Sequence, residues 1–115
     1  MNINEVIREL MRFSGETPVT LKYNHEEGLW GDLDSYRGYY SELAVDSGDT
    51  EVDVAYVIKH LEGAIGTTFE GYKGGEYMMS GNSDLYWADY GSLGPVSSKV
   101  YKRYGEVYIE FEEEY

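Results

Sequence analysis

Two amphipathic stripes, each led by a capping signal and separated by stretches that alternate with period two, constrain this chain more than any other feature. Ile3, Val6, Ile7, Leu10 and Met11 recur at the i, i+3, i+4, i+7 and i+8 positions of one helix face. Asn2 stands before them and Glu5 three residues later, the pattern of a capping box, so a helix is predicted over residues 2–13. Ser14-Gly15 and then Pro18 end it. Thr50-Glu51-Val52-Asp53 repeats the cap signal ahead of Val54, Val57, Ile58, Leu61 and Ile65, with Gly66 as the expected stop.

Between and after the stripes the pattern is that of strands. Pro18–Tyr23 alternates Val19, Leu21 and Tyr23 against Thr20 and Lys22. A polar turn over 24–28 leads to a short strand over Leu29–Leu33, and a turn over 34–38 leads to a third over Tyr39–Val45. Glu76–Met79 and Asp84–Asp89 flank a Ser80–Ser83 turn, and Gly91–Pro95 is expected to be an irregular connection. Val96–Tyr101 and Glu106–Glu112 are late strands about Tyr104-Gly105, with Val107, Ile109 and Phe111 on one face. The fold class expected is α+β, two amphipathic helices packed on a mainly antiparallel sheet, in the order α-β-β-β-α-β-β-β. One domain is expected over 1–115, with an acidic segment at 106–115.

Charge sets the next bound. The chain carries 9 Lys+Arg against 22 Asp+Glu, a formal net charge of −13. A long nucleic-acid footprint needs basic residues to release counterions, so that partner class is excluded. The same charge allows the reverse role, an acidic surface that enters a cationic groove on a partner. With no Cys, disulfides, thiol catalysis and cysteine-ligated zinc are excluded. No apolar run reaches the roughly 18 residues of a membrane span, and Met1-Asn2-Ile3-Asn4-Glu5 does not open a signal peptide.

Templates of known chemistry are missing: there is no phosphate-binding G-x-x-x-x-G-K-[ST] loop, no G-x-G-x-x-G, no H-E-x-x-H and no G-x-S-x-G. No enzyme activity, metal or cofactor is expected. His25, beside Glu26 and Glu27, and His60, near the end of the second helix, read as surface residues. Two segments suit binding instead. Tyr36-Arg37-Gly38-Tyr39-Tyr40 and Phe69-Glu70-Gly71-Tyr72-Lys73-Gly74-Gly75-Glu76-Tyr77 each set one cation between Tyr rings beside Gly. Gly admits close backbone approach, Tyr rings stack on planar bases, and Arg or Lys meets phosphate. The same residues also suit tight turns whose rings cover a sheet. Trp87-Ala88-Asp89-Tyr90-Gly91 adds two aromatics, and Asp89 suits acceptance from a base or ribose hydroxyl, while a Trp in a strand is as readily core. The recurrence of aromatic-cation-Gly in both halves hints at internal duplication.

These stretches resemble a motif set of small tailed-bacteriophage accessory proteins. The resemblance rests on Asp34-Ser35-Tyr36-Arg37-Gly38-Tyr39-Tyr40-Ser41-Glu42-Leu43-Ala44, on Ala64–Met79 with its Gly-Tyr-Lys-Gly-Gly-Glu-Tyr core, and on Trp87–Gly91, in that order. Where the family pattern has Asn before Tyr-Gly, this chain has Asp89. The resemblance implies a phage product in the host cell cytoplasm that counters host defence. Two binding roles follow. In the first, the protein sequesters a small phosphorylated nucleotide messenger without cleaving it. The site would use Tyr36, Arg37, Gly38, Tyr39, Tyr72, Lys73, Gly74, Trp87, Asp89 and Tyr90. In the second, it is an acidic, DNA-mimic-like inhibitor of a host defence nuclease or CRISPR effector. A homo-oligomer is expected in either case, because the 13 Tyr favour interface cores.

Overall fold

The computed structural model describes residues 1–34, 42–70, 76–89 and 93–113. The elements are α1 (Ile3–Leu10), β1 (Pro18–Tyr23), β2 (Glu26–Asp34), β3 (Glu42–Gly48), β4 (Val52–Asp53), α2 (Val54–Ala64), β5 (Thr68–Glu70), β6 (Glu76–Met78), β7 (Asp84–Ala88), β8 (Leu93–Arg103) and β9 (Glu106–Glu112). Two helices pack on a seven-stranded, mostly antiparallel sheet, which is the expected class. The order α-β-β-β-α-β-β-β is corrected to α-β-β-β-β-α-β-β-β-β-β. It counts one strand fewer than the segments that alternate, and it omits β4 and β5.

Each helix is fixed by its own start. The Asn2 side chain accepts from the Glu5 N–H while the Glu5 carboxylate accepts from the Asn2 N–H, a complete capping box. The N–H groups of Ile3 and Asn4 donate to the carbonyls of Ser83 and Gly81, so first-turn donors that the helix cannot satisfy are paired. Ile3, Val6, Ile7 and Leu10 are buried, whereas Met11 lies beyond the last helical residue and is 63% exposed. The second cap differs from expectation. Val52 pairs with Val19 in the sheet, so the cap falls three residues after Thr50, at Asp53, which accepts from the Tyr56 N–H, and the helix starts at Val54. Gly66, in the left-handed region at φ 82°, follows the helix end.

The sheet closes on itself. Its strands run β2-β3-β7-β8-β9-β1-β4, and β2 also pairs with β1. Strand β1 shares one edge between β4, at Pro18 and Val19, and β2, at Leu21 to Tyr23. Its other edge runs parallel to β9. The second parallel pair is β3 with β7. Register shifts between Trp30 and Leu33, Tyr86 and Ala88, and Ser97 and Lys99 bend the strands that must curve. At the first shift the backbones of β2 and β3 come so close that a Cβ on Gly31 would lie 2.5 Å from the Asp46 carbonyl, and one on Gly48 2.3 Å from the Trp30 carbonyl. Strand β8 starts at Leu93, so Gly94 and Pro95 belong to a strand rather than to an irregular connection. The β8–β9 hairpin turns at Tyr104 and Gly105, both with positive φ, the geometry that matches strand twist.

The inner face of the curved sheet holds the core. Val19 and Leu21 of β1, Val107, Ile109 and Phe111 of β9, Leu43 and Val45 of β3, and Leu85 and Trp87 of β7 join the buried faces of both helices. The radius of gyration is 13.2 Å, close to the about 13 Å expected for a single domain near this length. Among the described residues no helix is long and apolar enough to cross a membrane.

Candidate functional site: a carboxylate-rimmed cleft

The pairing directions bring particular strand ends together. β1 and β9 are parallel and end near Tyr23 and Glu112, and β2, antiparallel to β1, starts at the same end. β3 runs back toward it, β7 follows β3 in parallel, and β8 departs from it. At this end a cleft of about 700 Å³ opens. Glu26 from β2, Asp46 from β3, Asp89 just past β7 and Glu113 just past β9 line it, with Tyr23 between them and Gly94-Pro95 on the far wall.

The floor of the cleft is core. Trp87 is only 8% exposed, packs its ring on Phe111 with centroids 5.6 Å apart, and donates its indole N–H to the Ser47 hydroxyl at 2.9 Å. It lies over Gly28, where an added Cβ would stand 2.6 Å from the ring. An absent side chain on β2 therefore seats the indole. At the rim the Tyr23 hydroxyl donates to the Glu113 carboxylate. Adjacent hollows extend the acidity: Glu112 joins Glu113 beside Asn24, and Asp32 and Asp49 flank Asp46 on its other side.

The described cations lie elsewhere. Among the described residues no Lys or Arg lines the cleft. Lys102 and Arg103 sit at the opposite end of β8, where β9 begins. Lys99 pairs with Glu110 at 3.2 Å and lies 5.6 Å from the centre of the Tyr101 ring. Tyr101 stacks on Tyr108 at 5.5 Å. Burial, and then neighbouring carboxylates, hold both phenols above their ordinary value, with Glu110 against Tyr101 and Glu106 against Tyr108. This outer face of β8 and β9 is therefore a paired, aromatic surface, while the cleft concentrates one sign of charge.

Of the residues the sequence nominates, Trp87 and Asp89 are described, and both belong to this cleft. Tyr36, Arg37, Gly38, Tyr39, Tyr72, Lys73, Gly74 and Tyr90 lie outside the described residues. Glu113 belongs to the acidic 106–115 segment that the sequence points to, whereas Glu26 and Asp46, whose proximity to it depends on strand register, were missed. Sequence reasoning also misplaced His60, which is half-buried rather than a surface cation. The Trp30 indole donates to His60 Nδ1 at 2.9 Å, and burial lowers the imidazole below its ordinary 6.5 against an opposing pull from Asp32. His25 is exposed in the two-residue β1–β2 turn, as expected. Compared with protein-family models, curated proteins and solved structures, the chain matches none. Among the described residues no cluster of His, Asp or Glu has the arrangement of a metal site.

Proposed function

We propose that this protein is a non-enzymatic binding protein whose carboxylate-rimmed cleft receives a cationic element of a partner protein. The observation that supports the reading is the convergence of Glu26, Asp46, Asp89 and Glu113 from four strands around one concavity. Several carboxylates on a preformed surface attract Arg and Lys side chains, and Arg in particular forks onto a carboxylate with two hydrogen bonds. Such a surface competes with nucleic acid for the basic groove of a nuclease. The phage-like motifs supply the setting, in which the partner is a host defence nuclease or CRISPR effector.

A labelled arginine-rich peptide, titrated over a range of salt, tests this. The wild type binds it with an affinity that falls steeply with salt. The variant Glu26→Gln/Asp89→Asn/Glu113→Gln binds about tenfold or more weakly, with a flatter salt dependence. Equal affinity and equal salt slope in the variant would rule the cleft out.

Sequestration of a phosphorylated nucleotide is the second reading. It is favoured by the two aromatic-cation-Gly segments that contain Arg37 and Lys73. The anionic surroundings of Trp87 and Asp89 oppose phosphate at that end of the fold. A thermal-shift screen against cyclic di- and trinucleotides and cyclic ADP-ribose isomers separates the two readings. A shift abolished by Arg37→Ala or Lys73→Ala supports sequestration, and no shift at high ligand concentration counts against it.

A further inference from the structure

A second concavity has the opposite chemistry. It lies beside α2, encloses about 420 Å³, and is walled by Leu33, Tyr56 and Phe69, with Lys59, His60 and Gly63 from the helix. Its volume and its mostly apolar lining with few polar groups are those of small-molecule pockets.

Three features of α2 bear on what it holds. Gly63 lies inside the helix without a positive φ, and an added Cβ there would meet nothing within 4 Å. Neither backbone conformation nor packing against the rest of the fold requires glycine, which helix propensity disfavours. Its absent side chain leaves space beside a hollow that it lines.

Lys59 is exposed and has no carboxylate partner among the described residues. In a chain of net charge −13 it is the charged residue of this hollow's described lining, set against apolar walls.

His60 is held in one tautomer. The Trp30 indole can only donate, so Nδ1 must accept, and the neutral ring carries its proton on Nε2. The Tyr56 ring lies beside the imidazole, with centroids 5.5 Å apart. Burial, which lowers the imidazole's proton affinity, agrees with a neutral ring. Among the described residues, Trp30 and Asp32 from β2 and Tyr56 from α2 act on His60, and Lys59 shares the lining of the hollow with it.

We propose that the hollow beside α2 binds a small planar apolar molecule carrying one anionic group, an aryl carboxylate being the simplest case. The ring system fills the space left at Gly63 between Leu33 and Phe69. The anion meets the Lys59 ammonium, and the Nε2–H of His60 is the neighbouring donor. The described lining offers a cation no carboxylate, Asp32 standing outside it beside His60. A polyphosphate finds apolar walls where it needs donors.

NMR titration of the intact protein with 2-naphthoate, 2-naphthylmethanol and 2-naphthylmethylammonium tests the proposal, read at the amides of α2 and Phe69 and at the Trp30 indole N–H. The naphthoate shifts these signals saturably with a Kd of about 1 mM or tighter. The alcohol and the Lys59→Gln variant each weaken binding about three- to fivefold. Gly63→Leu weakens it by about tenfold or more while melting no lower than the wild type. The ammonium probe leaves these signals unmoved.

Several results would overturn the proposal: no saturable shift, naphthoate binding unchanged in Gly63→Leu, or ammonium binding here as tightly as carboxylate. Sedimentation supplies a further check. A wild-type dimer that dissociates in Gly63→Leu would make the hollow an interface between copies of this chain and would also overturn the proposal. A sedimentation coefficient shared by wild type and variant supports a ligand pocket.

Discussion

The cleft at the strand ends and the hollow beside α2 are made by different means. The cleft gathers side chains from β2 and β3 and from the ends of β7 and β9, so four separate segments must pair in register before Glu26, Asp46, Asp89 and Glu113 line one cleft. The hollow takes Tyr56, Lys59, His60 and Gly63 from a single helix and closes them with Leu33 and Phe69. One is anionic above a buried tryptophan; the other is apolar beside Lys59, which has no carboxylate partner among the described residues. The same closed sheet thus separates two chemistries, with sheet register controlling the first and helix periodicity the second.

The largest effect is expected from removing the floor of the cleft. Trp87 touches Phe111 and Gly28 from within the core, so Trp87→Ala is expected to destabilise the fold by about 3–5 kcal/mol. A urea titration with unchanged slope and a lowered midpoint checks this. A loss below about 1 kcal/mol would mean that the indole serves the cleft rather than the core.

The hollow rests on a smaller contact. Trp30 is 2% exposed, so Trp30→Phe loses buried volume as well as the donor to His60 Nδ1 and is expected to cost about 1–3 kcal/mol. The same pair gives a pH dependence whose direction follows from burial. Burial makes the folded protein hold the His60 proton less tightly than the unfolded chain does, so this contribution is complete above pH 6.5. It declines as pH falls below 6.5 and levels off below the folded value. Protonation also turns Nδ1 from acceptor to donor against the Trp30 N–H. Thermal melts from pH 8 to pH 5 should show a fall that His60→Gln flattens. A fall identical in the variant would assign the effect to other groups.

The smallest effect sharpens the contrast from the helix side. Gly63→Ala is expected to raise stability by about 0.5–1 kcal/mol, since the new methyl meets open space and helix propensity improves. Denaturant midpoints measure it. A loss of stability would show that the space at Gly63 is not free.

Much of the scaffold was legible where the signal is local. The Asn2–Glu5 capping box, the bounds Pro18–Tyr23 and Glu106–Glu112, and the Tyr104-Gly105 turn are as the residues predict. Thr50 misled because Thr50-Glu51-Val52-Asp53 has the spacing of a cap, yet Val52 is taken by pairing with Val19. The parallel pairs β1–β9 and β3–β7 have no local signature, so neither the closed sheet nor the meeting of the rim carboxylates could be anticipated. His60 was within reach. It stands three residues after Val57 and one before Leu61, at the margin of the buried stripe, where a half-buried imidazole is as natural as an exposed one. The aromatic-cation-Gly segments around Arg37 and Lys73 fall outside the described residues, so their role rests on the sequence.

The proposed function requires that the cleft at the strand ends take cations. Amide NMR with an arginine-rich peptide tests it most directly. The expected shifts fall on Tyr23, Glu26, Asp46, Ser47, Asp89 and Gly94, with the Trp87 indole N–H as an internal reporter, and they fade as salt is raised. Shifts confined to β8 or to α2, or none at low salt, would contradict it.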